Sequence, residues 1–392
     1  MLTAGEVAAR LGVKRDTVYA YVSRGLLDSE RAPDGKTSLF DPGQVEALAA
    51  GRRRPRGVGE IDTRITSAIT LIEDGRLAFR GTPVDTLVGR GYEHTARVLW
   101  QALDDERGWS SDHDLHRPVA EAQALLGPEA TGIDRLRLTG SLAAASDPLR
   151  HDLHPHSVVQ ATERLISAMV DGVPCLGTEA IGPLAQRLWP RITPQPPTPE
   201  KIAALDGAMT ILADHGLATS TVAARVAASV RGDPYSVVGA GLGGVGGTLH
   251  GAASSQVHRL FETAEESGSA STAVGEILGR GDKVPGFGHL VYRTEDPRFG
   301  LLSGLVLDAY RRDTRLLIVT DVLTLVHQRT SVLANIDFAL GALTFLADTA
   351  PDSGEMIFAI ARTAGWVAHA LEEYDEAPLR FRPQAHYVGP RP

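Results

Sequence analysis

The first 50 residues carry apolar positions in short blocks at helical spacing, and polar or glycine-containing turns separate the blocks. Thr3 and Glu6 have the spacing of a capping box, which starts a helix that ends at Gly12. A second helix is predicted over about 14–24, with Gly25 as its C-terminal stop. Two short helices joined by a turn that contains glycine form a helix-turn-helix.

Residues 26–40 contain an Asp34-Gly35 dipeptide, which is typical of a hairpin turn and predicts a wing after the second helix. Asp41 as N-cap and Pro42 at the first helical position then predict a third helix that ends at Ala50. The expected N-terminal domain is therefore a winged helix-turn-helix over residues 1–50.

Beyond residue 58 the apolar positions recur mostly at intervals of three and four, which predicts a mainly helical body. A short hairpin is expected over 69–81, around Asp74-Gly75. A proline-rich connector over 189–199 precedes a helix that begins at Thr198. A long helix over about 353–372 is apolar on nearly all sides.

The charge of the chain is uneven along its length. Residues 1–57 hold ten Lys or Arg and seven Asp or Glu, a net charge of +3. Subtraction from the totals of 39 and 48 leaves 29 basic and 41 acidic residues, net −12, for the remainder. An acidic body is a poor match for nucleic acid, whereas the basic head and the basic linker over 51–57 could bind phosphates.

Cys175 is the single cysteine, which excludes an intramolecular disulfide framework and a thiolate zinc site and fits a reducing cytoplasm. The chain contains no run of about 18 apolar residues, so no membrane span is expected. Its first residues lack a basic segment followed by an apolar one, so no signal peptide is expected either.

Candidate chemistry concentrates in residues 284–298. Gly286 and Gly288 allow a backbone to approach a ligand closely or to adopt positive φ. His289 can exchange a proton near neutral pH, and Arg293 and Arg298 offer guanidinium groups suited to carboxylate or phosphate. Together they predict a site for a small polyanion; a surface loop with a capping histidine is the alternative.

Two further groups lie in apolar surroundings. Asp337 lies in an apolar stretch, where a carboxylate must be paired, hydrogen-bonded or raised in pKa, and each of these occurs in general bases. A helix cap is the alternative for this residue. Arg362 lies near Phe358 and Trp366 in the long helix, and a guanidinium there requires an anion.

Gly239, Gly241 and Gly244 match the G-x-G-x-x-G pattern and follow a possible strand over 235–238. A dinucleotide site also requires a βαβ unit, which the surrounding pattern does not predict. The glycines are instead expected to allow close packing between helices in a segment that ends at His250.

Short motifs occur in one order along the chain, and the set is far more specific than any member. They are Asp-His at 214–215, Leu-His-Gly-Ala at 249–252, Pro-Gly-Phe-Gly-His at 285–289, Asp-Pro-Arg at 296–298, Asn-Ile-Asp at 335–337, Ile-Ala-Arg-Thr-Ala-Gly-Trp at 360–366 and Arg-Pro at 382–383. This order resembles the citrate synthase family from about residue 60 to the C-terminus. The resemblance implies an all-α homodimer that condenses acetyl-CoA with oxaloacetate in the tricarboxylic acid cycle, without a metal or other cofactor.

The resemblance also implies an internal division of the body. A large domain is expected over 58–251 and 346–392, and a small domain over 252–345. Closing of the small domain is expected to exclude water during the reaction.

The family pattern implies roles for individual residues. Catalysis falls to Asp337 as the base, His250 as the partner that stabilises the enol, and His289 as the group that polarises the oxaloacetate carbonyl. Ser220 is expected to orient His250. Oxaloacetate binding is assigned to His215, Arg298, Arg362 and, from the other subunit, Arg382. Contacts with CoA are assigned to Lys283, Val284, Gly286, Gly288 and Arg293.

Residues 5–27 resemble the helix-turn-helix of the MerR and excisionase group. Lys14, Arg15, Thr17 and Tyr19 of the second helix are the candidate contacts to DNA. A docking module of the same shape is the alternative, and the wing lacks the arginine expected just before Phe40.

The chain departs from the family pattern near His215. Gly216 and Ala218 stand where polar residues are common, and Leu212 and Leu290 stand where histidine and arginine are common. Three functions remain open on the sequence: citrate synthase, 2-methylcitrate synthase using propionyl-CoA, and a DNA-binding regulator that senses CoA esters or oxaloacetate. One methylene changes the discrimination between two acyl-CoA substrates by only about 1–3 kcal/mol, so the sequence does not show which acyl group the protein uses.

Overall fold

The computed structural model describes residues 1–23, 27–32, 37–49, 65–73, 75–104, 108–109, 113–247, 252–289, 291–292, 295–382 and 389. The chain divides into two compact units, Met1–Thr66 and Ser67–Pro392.

The N-terminal unit combines three helices with a small antiparallel sheet. The helices are α1 (Ala4–Leu11), α2 (Arg15–Ser23) and α3 (Pro42–Ala49), and the strands are β1 (Leu2–Thr3), β2 (Glu30–Arg31) and β3 (Ser38–Phe40), in the order β1-β3-β2. Their apolar faces meet in a core of their own, formed by Val7, Val18, Leu27, Phe40 and Val45 with smaller neighbours. This architecture confirms the predicted helix-turn-helix with a wing.

The predicted helix ends of this unit are confirmed where the structure describes them. The Thr3 hydroxyl accepts a bond from the backbone N–H of Glu6 while the Glu6 carboxylate accepts from the backbone N–H of Thr3, as a capping box requires. Gly12 ends α1 with φ +67°. The Asp41 carboxylate accepts from the N–H of Gln44 at the start of α3. Gly25, Asp34, Gly35, Ala50 and the linker 51–57 lie outside the described residues.

The second unit begins with a three-stranded antiparallel sheet and is otherwise helical in the part that the structure describes. The strands are β4 (Thr70–Glu73), β5 (Arg76–Phe79) and β6 (Thr82–Pro83), in sequential order. The register Thr70↔Phe79 and Glu73↔Arg76 places the turn where the Asp74-Gly75 dipeptide predicts it, and Asp74 itself lies outside the described residues. β6 extends the predicted hairpin by one short strand.

The helices of this unit pack around one large apolar core. Their bounds are α4 (Val84–Val88), α5 (Tyr92–Trp100), α6 (His113–Gln123), α7 (Gly132–Ser146), α8 (Pro155–Asp171), α9 (Leu184–Ile192), α10 (Pro199–Leu212), α11 (Thr219–Ser229), α12 (Pro234–Val245), α13 (Ala253–Ser267), α14 (Ala270–Gly279), α15 (Pro297–Tyr310), α16 (Leu316–Arg329), α17 (Ile336–Leu346) and α18 (Ser353–Asp375). Thr198 caps α10 as predicted, by accepting from the N–H of Lys201. None of the described helices is long and apolar enough to cross a membrane.

α18 is the central helix of this core, and it contacts α5, α7, α8, α10, α11, α12, α13 and α17. Its side chains are buried around almost the whole circumference, from Met356 to Ala370. The sequence predicted this burial but ended the helix three residues early, at residue 372 rather than at Asp375.

The possible strand over 235–238 is wrong, because these residues form the first turn of α12. Asp233 caps this helix by accepting from the N–H of Ser236, and Pro234 occupies its first position, which fixes φ for a helix. The apolar run that suggested a strand is buried against the core. A short apolar run does not distinguish a buried helix turn from a buried strand.

The glycines of α12 allow close helix packing, as predicted. A Cβ atom at Gly241 would lie 2.5 Å from the indole ring of Trp366 in α18, and one at Gly244 would lie 2.8 Å from Cα of Ser220 in α11. A Cβ atom at Gly239 would meet nothing within 4 Å. The helix therefore presents bare backbone to α11 and α18 along one side only.

We expect Gly241→Ala to destabilise the protein, since the new methyl group must displace the fully buried Trp366. Overpacking of this kind costs about 1–3 kcal/mol. Gly239→Ala is the matched control in the same helix, and we expect it to be neutral or stabilising by up to about 1 kcal/mol because alanine favours helices. Chemical denaturation of both variants measures the difference. Equal midpoints would show that α12 can move away from Trp366 without cost.

Candidate functional site

The loop over 284–292 is held in place by the segment just before α17. The N–H of Gly288 donates to the carbonyl of Leu333 at 2.8 Å, and the N–H of Asn335 donates to the carbonyl of Gly286 at 2.9 Å. The Asn335 side-chain amide also donates to the carbonyl of Gly288 at 2.6 Å. The loop and the start of α17 therefore form one hydrogen-bonded unit.

The two glycines of this loop are required by its backbone. Gly286 and Gly288 have φ of +80° and +82°, in the left-handed region that side chains disfavour. A Cβ atom at Gly286 would also lie 2.7 Å from Val257 and 2.9 Å from Phe338. The loop thus reaches the core of the second unit only because residue 286 lacks a side chain.

His289 follows these glycines, and N–H donors face both nitrogens of its ring. Its Nδ1 accepts from the N–H of Val291 at 3.0 Å and of Tyr292 at 3.2 Å. Burial and the nearby Arg298 lower the pKa of His289, so the ring is neutral at pH 7. Its Nε2 lies 3.0 Å from Nη2 of Arg298, and a guanidinium only donates, so this nitrogen faces a donor as well. The contacts of the ring therefore do not select one tautomer.

Arg298 is buried and oriented by one carboxylate. Asp296 accepts from Nε of Arg298 at 3.0 Å and from Nη2 at 2.9 Å, a two-point contact that fixes the plane of the guanidinium. The same carboxylate accepts from the backbone N–H of Ile336 at 3.1 Å, at the first residue of α17. Asp296 therefore joins Arg298 to the start of that helix.

His215 lies against His289 and Tyr292. Its Nε2 is 2.9 Å from the hydroxyl of Tyr292, and its ring centroid is 5.4 Å from that of His289. Burial, with Arg298, Arg362 and His289 nearby, holds the pKa of His215 well below its usual range. This imidazole is therefore neutral at any pH near 7.

Arg362 projects from α18 into the same region. Its Nε donates to the carbonyl of Leu212 at 2.7 Å, and its guanidinium lies 4.5 Å from the ring centroid of Phe358. Burial lowers the pKa of Arg362 to about 10, although Asp214 opposes that effect. The predicted proximity of Arg362 to Phe358 is confirmed, and the group remains a cation at pH 7.

Asp337 lies in the first turn of α17, where Asn335 rather than Asp337 is the cap. The Asn335 side chain accepts from the N–H of Asp337 at 3.0 Å. Burial raises the pKa of the Asp337 carboxyl to about 6, against the opposing effects of Arg298 and Arg362. A carboxylate of raised pKa that lies in the field of two arginines has the electrostatics of a general base.

The structure thus brings His215, His289, Arg298, Arg362 and Asp337 into one electrostatically coupled group. His250 and Arg293 lie outside the described residues, as does Leu290. Among the other predicted residues, Lys283 is exposed and Val284 is buried, so Val284 can offer only its backbone to a ligand. Arg382 is exposed, and the Ser220 hydroxyl accepts from the indole N–H of Trp366 at 3.3 Å.

The residues that support this group had no predicted role. Tyr292, Asp296 and Asn335 each hold a predicted site residue or its loop in place. Asp296 could have been predicted from the sequence, since an Asp-Pro dipeptide before an apolar run is typical of a helix N-terminus.

The departure from the family pattern at Gly216 also has a structural reason. This residue has φ +64°, and its N–H donates to the Asp214 carboxylate at 2.7 Å.

We expect Asp337→Asn to stabilise the protein at pH 8, because it removes a carboxylate whose ionisation burial disfavours. A folded-state pKa above the unfolded value gives a contribution to stability that is full at low pH and lost as the pH rises through about 6. This pKa shift predicts that Asp337→Asn raises the free energy of unfolding by about 2–3 kcal/mol at pH 8 and by about half as much at pH 5. Denaturation at both pH values, with the exposed Asp308→Asn as control, measures it. A gain that does not change with pH would contradict this origin.

Comparison with known proteins identifies the fold and the family. The family model for the citrate synthase C-terminal domain matches residues 56–384, and the model for MerR helix-turn-helix regulatory proteins matches residues 2–53. A structure of citrate synthase from the archaeon Thermoplasma acidophilum, in a ternary complex with carboxymethyl coenzyme A and oxaloacetate, has a TM-score of 0.71 at 21% identity, covering 84% of this chain and 95% of that one.

Curated relatives give the same family but differ in name. Putative citrate synthase 2 of Mycobacterium bovis is 35% identical over 201 residues, 50% of this chain and 54% of the relative, so the chain spans about half the length of that relative. The 2-methylcitrate synthase of Mycobacterium tuberculosis is 28% identical over 348 residues, 83% of this chain and 88% of the relative. With a family model that matches most of its length, the chain belongs to the citrate synthase family.

Proposed function

We propose that this protein condenses an acyl-CoA with oxaloacetate and water to citrate, or to a close homologue of citrate, and CoA. The observation that carries the proposal is the pairing of His289, an imidazole beside Arg298, with Asp337, a carboxylate of raised pKa in the field of the same arginine. One group can polarise a carbonyl while the other removes a weakly acidic proton.

Oxaloacetate is a dicarboxylate with a ketone, and the site matches each part. Arg298 and Arg362 are buried cations suited to its carboxylates. His289 would polarise the ketone by donating an N–H hydrogen bond to its oxygen, as the family resemblance implies. The neutral His215 adds a further polar contact to the same substrate. In a homodimer, Arg382 of the partner subunit would complete the carboxylate binding, as the family resemblance implies.

The acyl-CoA then reacts at the carbon next to its thioester. Asp337 removes a proton from that carbon, and His250 donates to the developing enolate oxygen, as the family resemblance implies. The enol carbon attacks the ketone, and His289 gives its ring proton to the new alkoxide. Water then cleaves the thioester and releases CoA. In the condensation step each proton that moves has a side-chain donor or acceptor, and in the hydrolysis water supplies the hydroxyl of the new carboxyl group and the proton of the CoA thiol. The proposed mechanism uses no metal.

Two acyl groups are compatible with this site. Acetyl-CoA gives citrate, and propionyl-CoA gives 2-methylcitrate, the product in the name of the M. tuberculosis relative. We place acetyl-CoA first, because the relatives and the solved structure that match include proteins named citrate synthase. Contacts with CoA are assigned to the loop, including Lys283, Gly286, Gly288 and Arg293.

A regulator is the second candidate, and the N-terminal unit favours it. The match to MerR regulatory proteins covers residues 2–53, and Lys14, just before α2, is exposed together with Arg15 and Tyr19 of that helix. A recognition helix with exposed basic and aromatic side chains suits the major groove of DNA. In this candidate the second unit senses oxaloacetate or a CoA ester and does not need to turn it over.

We expect the purified protein to release free thiol from acetyl-CoA when oxaloacetate is present. Asp337→Asn should lower kcat by about 100- to 10,000-fold, the usual effect of removing a general base. Asp308→Asn is the surface control and should leave kcat unchanged. Thiol release measured with acetyl-CoA and with propionyl-CoA ranks the two substrates by kcat/KM. Absence of release with both acyl-CoAs would exclude the condensing activity.

DNA binding is tested separately from turnover. If α2 contacts phosphates, the double variant Lys14→Ala/Arg15→Ala should weaken binding to duplex DNA. The slope of the logarithm of the binding constant against the logarithm of the salt concentration should become less steep by about 1.8. Arg10 is an exposed residue of α1, and Arg10→Ala serves as the control. Fluorescence anisotropy at several salt concentrations measures both effects. An unchanged slope in the double variant would exclude α2 as the DNA-binding surface.

A further inference from the structure

One face of α18 forms hydrogen bonds with the turn that carries His215. Nε of Arg362 donates to the carbonyl of Leu212 at 2.7 Å, and the N–H of Gly365 donates to the carbonyl of Ala213 at 3.0 Å. Nε2 of His369 then lies 3.5 Å from Oδ1 of Asp214. These residues of α18 are three and four positions apart, so they line one side of the helix and meet consecutive residues of the turn.

The close approach depends on Gly365. A Cβ atom there would lie 2.4 Å from the carbonyl oxygen of Ala213 and from Oδ1 of Asp214. The turn is therefore pressed onto bare helix backbone, and the side chains on either side of Gly365 hold it there. One of them, Arg362, already belongs to the proposed substrate site; His369 has no role so far.

The Asp214 carboxylate holds the turn in place through one bond to the residue after His215 and one bond to strand β4. Its Oδ2 accepts from the N–H of Gly216 at 2.7 Å and from the hydroxyl of Thr70 in β4. Burial opposes ionisation of this carboxyl, but His369, Arg362 and Thr70 outweigh it and hold the pKa of Asp214 below its usual value. Asp214 is thus an ionised, fully buried carboxylate at the base of His215.

His369 faces the free oxygen of that carboxylate. Among the described residues, neither Oδ1 of Asp214 nor Nε2 of His369 has a hydrogen-bond partner, and both atoms are buried. A buried polar atom without a partner is costly, and here the two such atoms point at each other. At 3.5 Å their contact is longer than a hydrogen bond, and contacts of this kind often tighten when a ligand binds.

Arg225 in α11 determines the tautomer of His369. Its Nη1 donates to Nδ1 of His369 at 2.9 Å, and since arginine only donates, Nδ1 must accept. A neutral ring then carries its proton on Nε2, the atom that faces Asp214. Arg225 is itself fixed by Glu373, whose carboxylate accepts from its Nε at 3.0 Å, and by Glu372, which accepts from Nη1 at 3.0 Å.

We propose that His369 is a positioning residue, which holds the turn of His215 through a hydrogen bond from its Nε2 to Asp214. Arg225 selects the tautomer that can donate this bond. The inference rests on the proposed function in one respect, that His215 binds oxaloacetate. The alternative is a histidine that only fills the core, and two substitutions separate the roles of its two nitrogens.

Asparagine and glutamine each replace one nitrogen of the ring. In His369→Asn the side-chain oxygen takes the place of Nδ1 and can still accept from Arg225, but no donor reaches Asp214. In His369→Gln the amide nitrogen takes the place of Nε2 and can still donate to Asp214, but the acceptor for Arg225 is lost. His258→Asn is the control, since His258 is another buried histidine that contacts Thr344 and Glu262 rather than this turn.

We expect His369→Asn to raise KM for oxaloacetate roughly tenfold, the usual effect of removing the partner that orients a binding group, with KM for the acyl-CoA unchanged. His369→Gln should keep KM for oxaloacetate within about twofold of the wild type, as rescue by a retained donor requires. Thermal midpoints report any loss of stability in all three variants. The proposal would be overturned if the KM for oxaloacetate were equal in the two His369 variants, or if His369→Asn raised the KM for both substrates.

A measurement without turnover separates this inference from the proposed function. In ligand-free protein with ¹⁵N-labelled histidines, the ring signals of His215 are identified by their loss in His215→Gln. We expect these signals to shift in His369→Asn and to stay in place in His369→Gln and His258→Asn. If the wild type releases no thiol, the proposed function fails, and the His215 signals still decide the role of His369. Unshifted signals in His369→Asn would refute that role.

Discussion

The candidate site depends on the carboxylate of Asp296. This fully buried group accepts from two nitrogens of Arg298 and from the backbone N–H that opens α17. Arg298 in turn contacts His289, and α17 carries Asp337 two positions after its cap. Because one carboxylate fixes both ends, the distance between the candidate acid and the candidate base is set by a single small group of charge-assisted hydrogen bonds.

The surrounding electrostatics give each group a protonation state suited to its proposed role. Burial is the main cause of the lowered pKa of His215 and of His289, so both imidazoles are neutral; Arg298 adds to the effect on both rings, and Arg362 adds to it on His215. Burial has the opposite consequence for Asp337 and raises its pKa to about 6, so the group is ionised at pH 7 yet still basic enough to take a proton. An incoming dicarboxylate would neutralise the two cations, and the field of the site therefore attracts its substrate.

Much of the architecture could be predicted from local patterns, because capping residues and apolar periodicity act over a few positions. The capping box at Thr3, the cap at Asp41 and the hairpin around Asp74-Gly75 are examples. The strand over 235–238 was wrong because a buried helix turn and a buried strand can have the same apolar sequence; the local signal of a helix start was the Asp233-Pro234 dipeptide before the run. The order of motifs predicted His215, His289, Arg298, Arg362 and Asp337 as one site. It could not predict Tyr292, Asn335 or His369, whose contacts connect residues that are far apart in the chain or depend on a loop conformation.

The buried carboxylate of Glu373 links the end of the chain to the interior of the protein. Besides Arg225, it accepts two bonds from Arg380, each 2.6 Å long, and Arg225 contacts the ring that faces the His215 turn. Shortening the chain before Arg380 would leave that fully buried carboxylate with half of its counter-charge, an arrangement that is strongly destabilising. Arg380 is itself exposed, yet it supplies part of the counter-charge of this buried carboxylate, so the stability of the core depends on a surface residue beyond the last helix.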